Sequence, residues 1–401
     1  MSTISFDRVV NVTVNINDRF PAVANFSIPL ILTSEEGTSS ISVDTVRSFS
    51  SLEEVEAYGY DDTTEVHAIV SALIGTRFRP NTFKIGYSAT ADAAGLTAIN
   101  QVDPLFYAVI LPGIQTVANL ADLTSLNSAA TMLRKLIFIQ GQDDALRDDA
   151  TATPADSLGA ALRGISPLRI VGFHDNQVLA GNQHYHVRAA ARISNVNYNL
   201  PNSHYTLKFK ELEGAAHSEL TDLQAQNLTG FIPGTGQDPN AGGFWNVYIC
   251  TAGVNMVVEG TFMDGSFVDT TTFADWLEVT MQSNVLQVFT NNEVVPYDAT
   301  GISMLLQAIT QTLTQGLITG ALTEARPSPD GMLLPAFEVS VQDITQVQSA
   351  LQANRIAPSF RYCAQYAGAT HFATIEGELK IATPSAATVE TPEPNAGGLL
   401  N

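Results

Sequence analysis

The chain has few basic residues and few charged residues of any kind. Lysine and arginine number 19 against 40 aspartates and glutamates, which gives a formal net charge of −21. Binding to nucleic acid or to anionic lipid needs a basic patch, so this balance argues against both classes of partner. Charged residues make up 15% of the chain, whereas about 25% is typical of soluble domains. We therefore expect a polar but weakly charged surface, which suits burial in a wet, extensive assembly interface.

Cysteine and long apolar runs are also scarce. Cys250 and Cys363 lie far apart and no CxxC pair occurs, which argues against a zinc site and predicts a reduced, cytosolic environment. The sequence shows no basic-then-apolar leader and no run of about 18 apolar residues. We expect neither a signal peptide nor a membrane-spanning helix, and we expect the protein to be made and assembled in a cytoplasm.

Short apolar strands alternate with helical patterns through the first half of the chain. The helical spacing predicts helices near 64–75 and 119–135, and Ser50-Ser51 predicts the start of another helix at Leu52. The predicted strands are 83–87, 106–111, 136–139 and 169–173. This order is typical of βαβ units and predicts an α/β fold, with α+β character in part and a mostly parallel sheet.

A Pro- and Gly-rich stretch at 233–243 predicts the clearest boundary between domains. We divide the chain into an N-terminal arm strand at 1–20, an α/β region at 21–232, a C-terminal domain at 244–382 and a flexible tail at 383–401. The tail is rich in Pro, Ala and Gly.

Both ends of the chain contain an alternating strand pattern without an evident local partner. A lone terminal strand needs a partner for its backbone groups, so it either joins its own sheet or is lent to a neighbouring subunit. The apolar positions of these two patterns are Val10, Val12, Val14, Ile16, Ile375, Leu379 and Ile381.

Three histidines suggest a metal site, but the pattern favours a simpler interpretation. His184 and His186 stand two residues apart, which would put them on one face of a strand, with His174 nearby in sequence. No cysteine or carboxylate at ligand spacing accompanies them, so hydrogen-bonded surface histidines are favoured over a metal site. The acidic stretch 141–154 lacks the spacing and turn glycine of a calcium loop and is interpreted as a solvated loop.

No phosphate-binding loop and no nucleophile elbow occurs in the sequence. Asp264 and Asp269 could form an acid–base pair, but they flank an extended step ahead of a helix, which favours turn and capping roles. The aromatic residues around them are interpreted as core: Phe262, Phe267, Phe273 and Trp276. The alternative to a structural protein is a hydrolase-like α/β enzyme that uses the strand ends of residues 83–175.

The segment 258–302 resembles the C-terminal domain of contractile tail sheath proteins of bacterial viruses. The likeness lies in residues 259–267 (EGTFMDGSF), Asp275-Trp276-Leu277, Pro296-Tyr297-Asp298 leading to Gly301-Ile302, and 316–320 (GLITG). In the first half, FSIPLILT, SLEEVEAYG, HAIVSALIGTRFRPNTFKIGY and NLPNSHYTLKFKELEGA resemble a compact sheath subfamily in the same order. The resemblance extends over about 26–382.

The resemblance implies a structural function without catalysis and without a cofactor. Sheath subunits form stacked six-fold rings around a tail tube, and their terminal arms pair with the sheets of neighbours. The implied partners are further copies of the chain, the tube protein, and baseplate and tail terminator proteins; the implied location is the virion. We expect 21–232 to form the outer part of the subunit and 258–302 to hold the sheet that the arms join. Three late cations are the predicted tube or neighbour contacts: Arg355, Arg361 and Lys380.

Overall fold

The structure, a computed structural model, describes residues 26–37, 44–176, 182–238 and 241–371. The predicted arm residues and one predicted contact residue lie outside these ranges: Val10, Val12, Val14, Ile16, Ile375, Leu379, Lys380 and Ile381.

Eight strands form one central sheet. Numbered along the chain, they are β1 Leu30–Thr33, β2 Thr45–Phe49, β3 Phe83–Tyr87, β4 Ala108–Gln115, β5 Leu136–Gly141, β6 Ile170–His174, β9 Asn246–Thr251 and β10 Val254–Val258. Their order is β10-β9-β6-β5-β4-β1-β3-β2. The inner strands pair in parallel, whereas β10 and β2 at the edges pair antiparallel. This confirms the predicted α/β class with a mostly parallel sheet.

Three two-stranded sheets and eleven α-helices complete the described part. The small sheets are β7 Phe231–Ile232 with β8 Gly236–Gln237, β11 Arg326–Pro327 with β12 Leu333–Leu334, and β13 Phe337–Val341 with β14 Phe360–Ala364. The helices are α1 Leu52–Tyr58, α2 Glu65–Ile74, α3 Ala93–Val102, α4 Leu120–Leu133, α5 Asp144–Asp148, α6 Leu158–Arg163, α7 Tyr185–Ser194, α8 Asp222–Thr229, α9 Val268–Asn291, α10 Ala299–Ile318 and α11 Ser349–Ala353.

Helices cover both faces of the central sheet, which explains why its inner strands are apolar throughout. Phe138 and Val171, paired across β5 and β6, belong to the core beneath α2 and α7. Ile137 and Ile170, one residue earlier in each strand, belong to the opposite core beneath α3, α4 and α6. Because successive strand side chains point to opposite faces, one apolar run serves both cores.

The Pro- and Gly-rich stretch 233–243 connects elements of one sheet. β9 follows this stretch, yet it pairs in parallel with β6 through Phe173–Asn246 and His174–Val247. The division of the chain into domains at this stretch stays a prediction.

The segment 258–302 contains helices and turns rather than the sheet that we expected there. It begins at the last residue of β10, continues through α9 and ends inside α10. The two-stranded sheet β13–β14 comes later in the chain and packs on these helices. The expectation was wrong because it assigned a sheet to a stretch whose periodicity is helical, whereas the alternation typical of strands lies in 337–341 and 360–364.

Three local interpretations need correction. His184 adopts a left-handed backbone just ahead of α7, and His186 lies within this helix, so the two do not share a strand face. The Ala-rich sequence that follows favours a helix over the apparent alternation. The predicted solvated acidic loop contains α5, and its Asp143 is buried. Among the four aromatics predicted to be core, Phe267 is 39% exposed, because it precedes the first turn of α9.

Candidate assembly surface

The helix pair α9–α10 is joined by the Pro296-Tyr297-Asp298 turn. The carboxylate of Asp298 accepts from two N–H groups in the first turn of α10, at 2.8 and 3.1 Å, which starts the helix. Gly301 is required because a Cβ there would overlap the carbonyl oxygen of Pro296. The hydroxyl of Tyr297 donates to the carbonyl of Ile356 at 2.9 Å. The motif therefore starts a helix and also holds the segment that leads into β14.

An aromatic cluster holds the β13–β14 sheet against α9 and α10. Phe273 and Trp276 stack with their ring centroids 5.6 Å apart, and Tyr198 lies 5.1 Å from Trp276. Tyr366, just after β14, packs 6.0 Å from Phe273. The inward side chains of the small sheet extend this cluster, and they are Phe337, Val339, Phe360 and Tyr362.

Both long edges of the β13–β14 sheet are unpaired by any other strand within the described residues. The N–H of Gln342 donates to Ser359 at 3.0 Å and that of Gln365 donates to Ala336. In an antiparallel pair the residues that exchange hydrogen bonds alternate with those that do not. The backbone groups of the intervening residues therefore point away from the partner strand, toward the two outer edges. Those residues are Phe337, Val339 and Val341 on β13, and Phe360, Tyr362 and Ala364 on β14.

A two-stranded sheet with two open edges is a natural acceptor for further strands. Its outward backbone N–H and C=O groups need partners, and two strands alone are marginally stable. Within the described part of the chain, the β14 edge is occupied only just beyond its C-terminal end, where Tyr366 forms an isolated β-bridge with Leu322. The central part of each edge can accept an extended segment by backbone pairing.

Two of the predicted contact cations lie in the described residues, one within β14 and one ahead of it in the chain. Arg361 is in β14, opposite Ser340, and its side chain is exposed. Arg355 follows α11 and is also exposed. Their roles as contacts stay a prediction. Sequence reasoning overlooked Arg326 in β11, which is exposed on a neighbouring hairpin.

Sequence reasoning also missed an exposed apolar tip on the β11–β12 hairpin. Met332 is 70% exposed and Leu333 is 67% exposed. The signal was present in the sequence, as an apolar run between Gly331 and Pro335, where a turn places side chains in solvent.

The carboxyl edge of the central sheet, where an α/β enzyme would bind its substrate, contains polar groups that bind the chain itself. The carboxylate of Glu35, after β1, accepts from the N–H groups of Glu65 and Val66 at 3.3 and 3.0 Å. These N–H groups form the start of α2, the type of position that binds ligand anions. Glu65 in turn accepts from the N–H of Gly113 at 2.6 Å.

A second polar group at this edge is centred on Gln140 in β5. Its amide donates to Asp175 and Asn182 at 3.1 and 2.5 Å, and its oxygen lies 2.9 Å from Nδ1 of His186. Burial, with His184 adding repulsion, lowers the pKa of His186 to about 3. The ring is therefore neutral near pH 7, and the group as a whole fixes α7 against the sheet.

Within 26–37, 44–176, 182–238 and 241–371, no three His, Cys, Asp or Glu side chains come together as a possible metal site. Among the helices of these ranges, none has both the length and the apolar composition needed to cross a membrane.

Comparison with known proteins identifies the C-terminal part. Residues 268–379 match the family model described as E217 tail sheath protein gp31-like, C-terminal domain. The match begins at the first residue of α9 and includes α10 and the two small sheets β11–β12 and β13–β14. The curated proteins contain no significant match to the chain. The family match confirms the resemblance to tail sheath proteins for this part of the chain. Residues 268–379 are similar to the C-terminal domain of a phage tail sheath protein, a structural family of virions, which points to a non-enzymatic role.

Proposed function

We propose that this tail sheath protein polymerises as stacked six-fold rings around a tail tube and contracts to drive the tube through the host envelope. The match of residues 268–379 to a tail sheath domain is the observation that supports the proposal most directly. Tail tube, baseplate and tail terminator proteins are the proposed partners. In this proposal assembly takes place in the host cytoplasm.

Neighbouring subunits connect through the terminal arms in this proposal. The N-terminal pattern (Val10, Val12, Val14, Ile16) and the C-terminal pattern (Ile375, Leu379, Ile381) supply strands, and the open edges of β13–β14 accept them from other copies. The unpaired edges and the half-buried inward side chains of this sheet support the assignment. Backbone pairing demands little of the sequence, so it tolerates rotation between subunits.

Contraction is a change between two packings of the same subunits. The extended sheath is metastable, and contraction releases it toward a lower-energy arrangement while the strand connections persist. A subunit with a net charge of −21 must offset repulsion wherever copies meet. The exposed cations Arg355 and Arg361, together with Lys380, contact acidic groups of the tube or of a neighbouring copy. The exposed positions of the first two support this role.

Negative-stain electron microscopy tests the proposal on the purified chain. The full chain should form tubes or rings with six-fold symmetry. A chain lacking residues 2–16 should stay folded by circular dichroism yet fail to polymerise. Full-length chains that remain monomeric at high concentration would contradict the function, and unchanged polymers from the deleted chain would contradict the role of the N-terminal arm.

A further inference from the structure

Three neighbouring strands of the central sheet start at one edge, and a side chain ahead of each reaches helix α9. Tyr107 directly precedes β4, Arg134 ends α4 just ahead of β5, and Arg169 directly precedes β6. On α9, Asp275 and Glu278 are three residues apart and so share one helix face. These five residues are named the edge cluster.

The edge cluster is joined by directional bonds. The guanidinium of Arg169 donates to both carboxylate oxygens of Asp275, at 2.6 and 2.9 Å. The hydroxyl of Tyr107 donates to the same carboxylate at 2.7 Å, and Arg134 pairs with Glu278. The residues that precede β4 and β6 therefore both bond the carboxylate of Asp275. Arg134, just ahead of β5, pairs with Glu278 on the same helix face.

All of these groups are removed from solvent. None of the four charged residues is more than 8% exposed, and Tyr107 is fully buried. Burial is the largest single influence on the pKa of Arg169 and acts to lower it, but the charge of Asp275, the hydrogen bond to it and the neighbouring Tyr107 together raise that pKa. Burial raises the pKa of Glu278, which Arg134 opposes. Charges in such surroundings are held only with partners in good geometry.

The apolar side of α9 faces elsewhere. Its large side chains Phe273, Trp276, Leu277 and Met281 belong to the cluster shared with α10 and the β13–β14 sheet. Apolar contacts are non-directional and tolerate sliding, whereas a two-pronged arginine–carboxylate contact fixes both distance and angle. Buried ion pairs add little net stability compared with apolar replacements, and their best-supported use is to specify one arrangement.

We propose that the edge cluster is a set of positioning residues that fixes the angle and register of α9 on the central sheet. The sheet and the helices of the tail sheath domain then move as one body. The value of this rigidity for contraction rests on the proposed function, whereas the positioning itself is a property of the single chain.

The two cysteines of the sequence provide a direct readout, because Cys250 lies in β9 of the central sheet and Cys363 lies in β14 on α9 and α10. Both are exposed. Spin labels on them report the distance between sheet and helices by pulsed electron paramagnetic resonance. Labelled chains are diluted into unlabelled Cys250→Ser/Cys363→Ser chains, so that only distances within one chain contribute.

The informative variant is Tyr107→Phe/Arg169→Met/Asp275→Leu, which removes the donors together with their acceptor. The matched control is Lys208→Met/Glu259→Leu, another buried pair, whose Nζ lies 2.9 Å from Oε2 and whose two side chains bond each other rather than a side chain of α9. The wild-type chain should give one narrow distance. The triple variant should melt close to the wild-type temperature, yet its distance distribution should at least double in width or gain a second peak, while the control stays narrow.

Three results would overturn the proposal: an unchanged distribution in the triple variant, equal broadening in the control, or a triple variant that does not fold. The last result would assign the cluster to stability rather than to positioning. Polymerisation of the unlabelled wild-type chain is scored separately by negative stain. If the wild-type chain never polymerises, the proposed function is contradicted. The measured distances within one chain still test whether the edge cluster positions α9.

Discussion

The indole N–H of Trp245 donates to a carboxylate oxygen of Asp143 across 3.0 Å. The same oxygen accepts from the hydroxyl of Ser157 at 2.8 Å and from the N–H of Gly159 at 2.9 Å. One buried carboxylate thus joins the segment after β5, the start of α6 and the approach to β9.

Replacing Asp143 by asparagine should lower the free energy of unfolding by about 1–3 kcal/mol. The other carboxylate oxygen accepts from the N–H of Leu146 at 3.4 Å. An amide keeps the shape but has one oxygen, so its NH2 group must face either that N–H or the three donors, and a buried donor left without an acceptor is destabilising by that amount. Urea unfolding followed by circular dichroism measures the change. The control is Asp144→Asn, whose carboxylate is 64% exposed and should change stability by less than about 0.5 kcal/mol. Equal effects at both positions would contradict the prediction.

Gly172→Ala should destabilise the fold by about 1–3 kcal/mol through overpacking. A Cβ at this position would lie 2.9 Å from Cε3 of Trp245 and closer still to the sulfur of Met263. Gly164→Ala is the control, since its Cβ would meet nothing nearer than 4.0 Å. Thermal unfolding of both variants should show a lower melting temperature for Gly172→Ala alone.

Acid should destabilise the fold through its buried histidines. Burial lowers the pKa of His174 and of His184 to about 4, and that of His186 to about 3. Unfolded histidine titrates near 6.5. Above that pH the rings are neutral in both states and the stability is complete. As pH falls from about 6.5 toward 4, the unfolded chain takes up protons that the folded chain does not, so stability is lost.

The loss should be on the order of 2 kcal/mol per histidine at pH 5, from 1.36 kcal/mol for each pKa unit. Burial is the largest influence on the pKa of His174 and lowers it, Arg147 adds to this effect, and together they outweigh Asp143 and Asp148, which favour the charged form. His174→Leu should reduce the pH dependence by about a third, since neither ring nitrogen has a hydrogen-bond partner in the described residues. Urea midpoints at pH 7.5, 6 and 5 test this. The control is His67→Gln, which keeps the three buried histidines and should show the same pH dependence of stability as the wild type. A weaker pH dependence in this variant would contradict the assignment of the acid sensitivity to the buried histidines.

Native Cys363 should report a neighbour's C-terminal strand. If Ile375 and Leu379 face inward on the β14 edge, then Glu376 and Glu378 fall on the outer face with Cys363. In a Cys250→Ser background, Glu376→Cys or Glu378→Cys should form disulfide-linked dimers within polymers, seen on non-reducing gels. Ile375→Cys points to the opposite face and should not. Two results would exclude pairing of the C-terminal strand with the β14 edge in this register: equal disulfide formation by Ile375→Cys, or no disulfide from any of the variants in intact polymers.

Arg361→Glu should weaken assembly more than its change in net charge explains. Its exposed side chain is the cation of β14, and like charges on adjacent strands are destabilising, by about 0.2–1 kcal/mol per pair. Repeated at every contact in a polymer, this should raise the critical concentration several-fold in sedimentation assays. Arg79→Glu changes net charge equally at an exposed site ahead of β3. Identical critical concentrations for both variants would contradict a contact between Arg361 and a neighbouring subunit or the tube.

Local patterns predicted much of the fold because they depend on neighbours in sequence. β3 matches its predicted bounds of 83–87. Ser51 and Thr64 cap α1 and α2 by accepting from the N–H groups of Glu54 and His67, both at 3.3 Å. The helix predicted after the extended step at Asp264 and Asp269 is α9, which spans Val268–Asn291. Alternation, helical spacing and capping side chains act within a few residues, so one sequence suffices to read them.

The sequence by itself thus determined the α/β order and the helix starts, and its resemblance to tail sheath proteins was confirmed by the family match. Only the tertiary structure decided that Asp275 and Glu278, which flank Trp276-Leu277 on an apolar helix, meet arginines more than a hundred residues away. It also decided that Asp143, in an acidic stretch, is buried against Trp245. The reason is physical: the pairing of a buried charge depends on which strand edges and helices converge in space, and no spacing along the chain records that convergence.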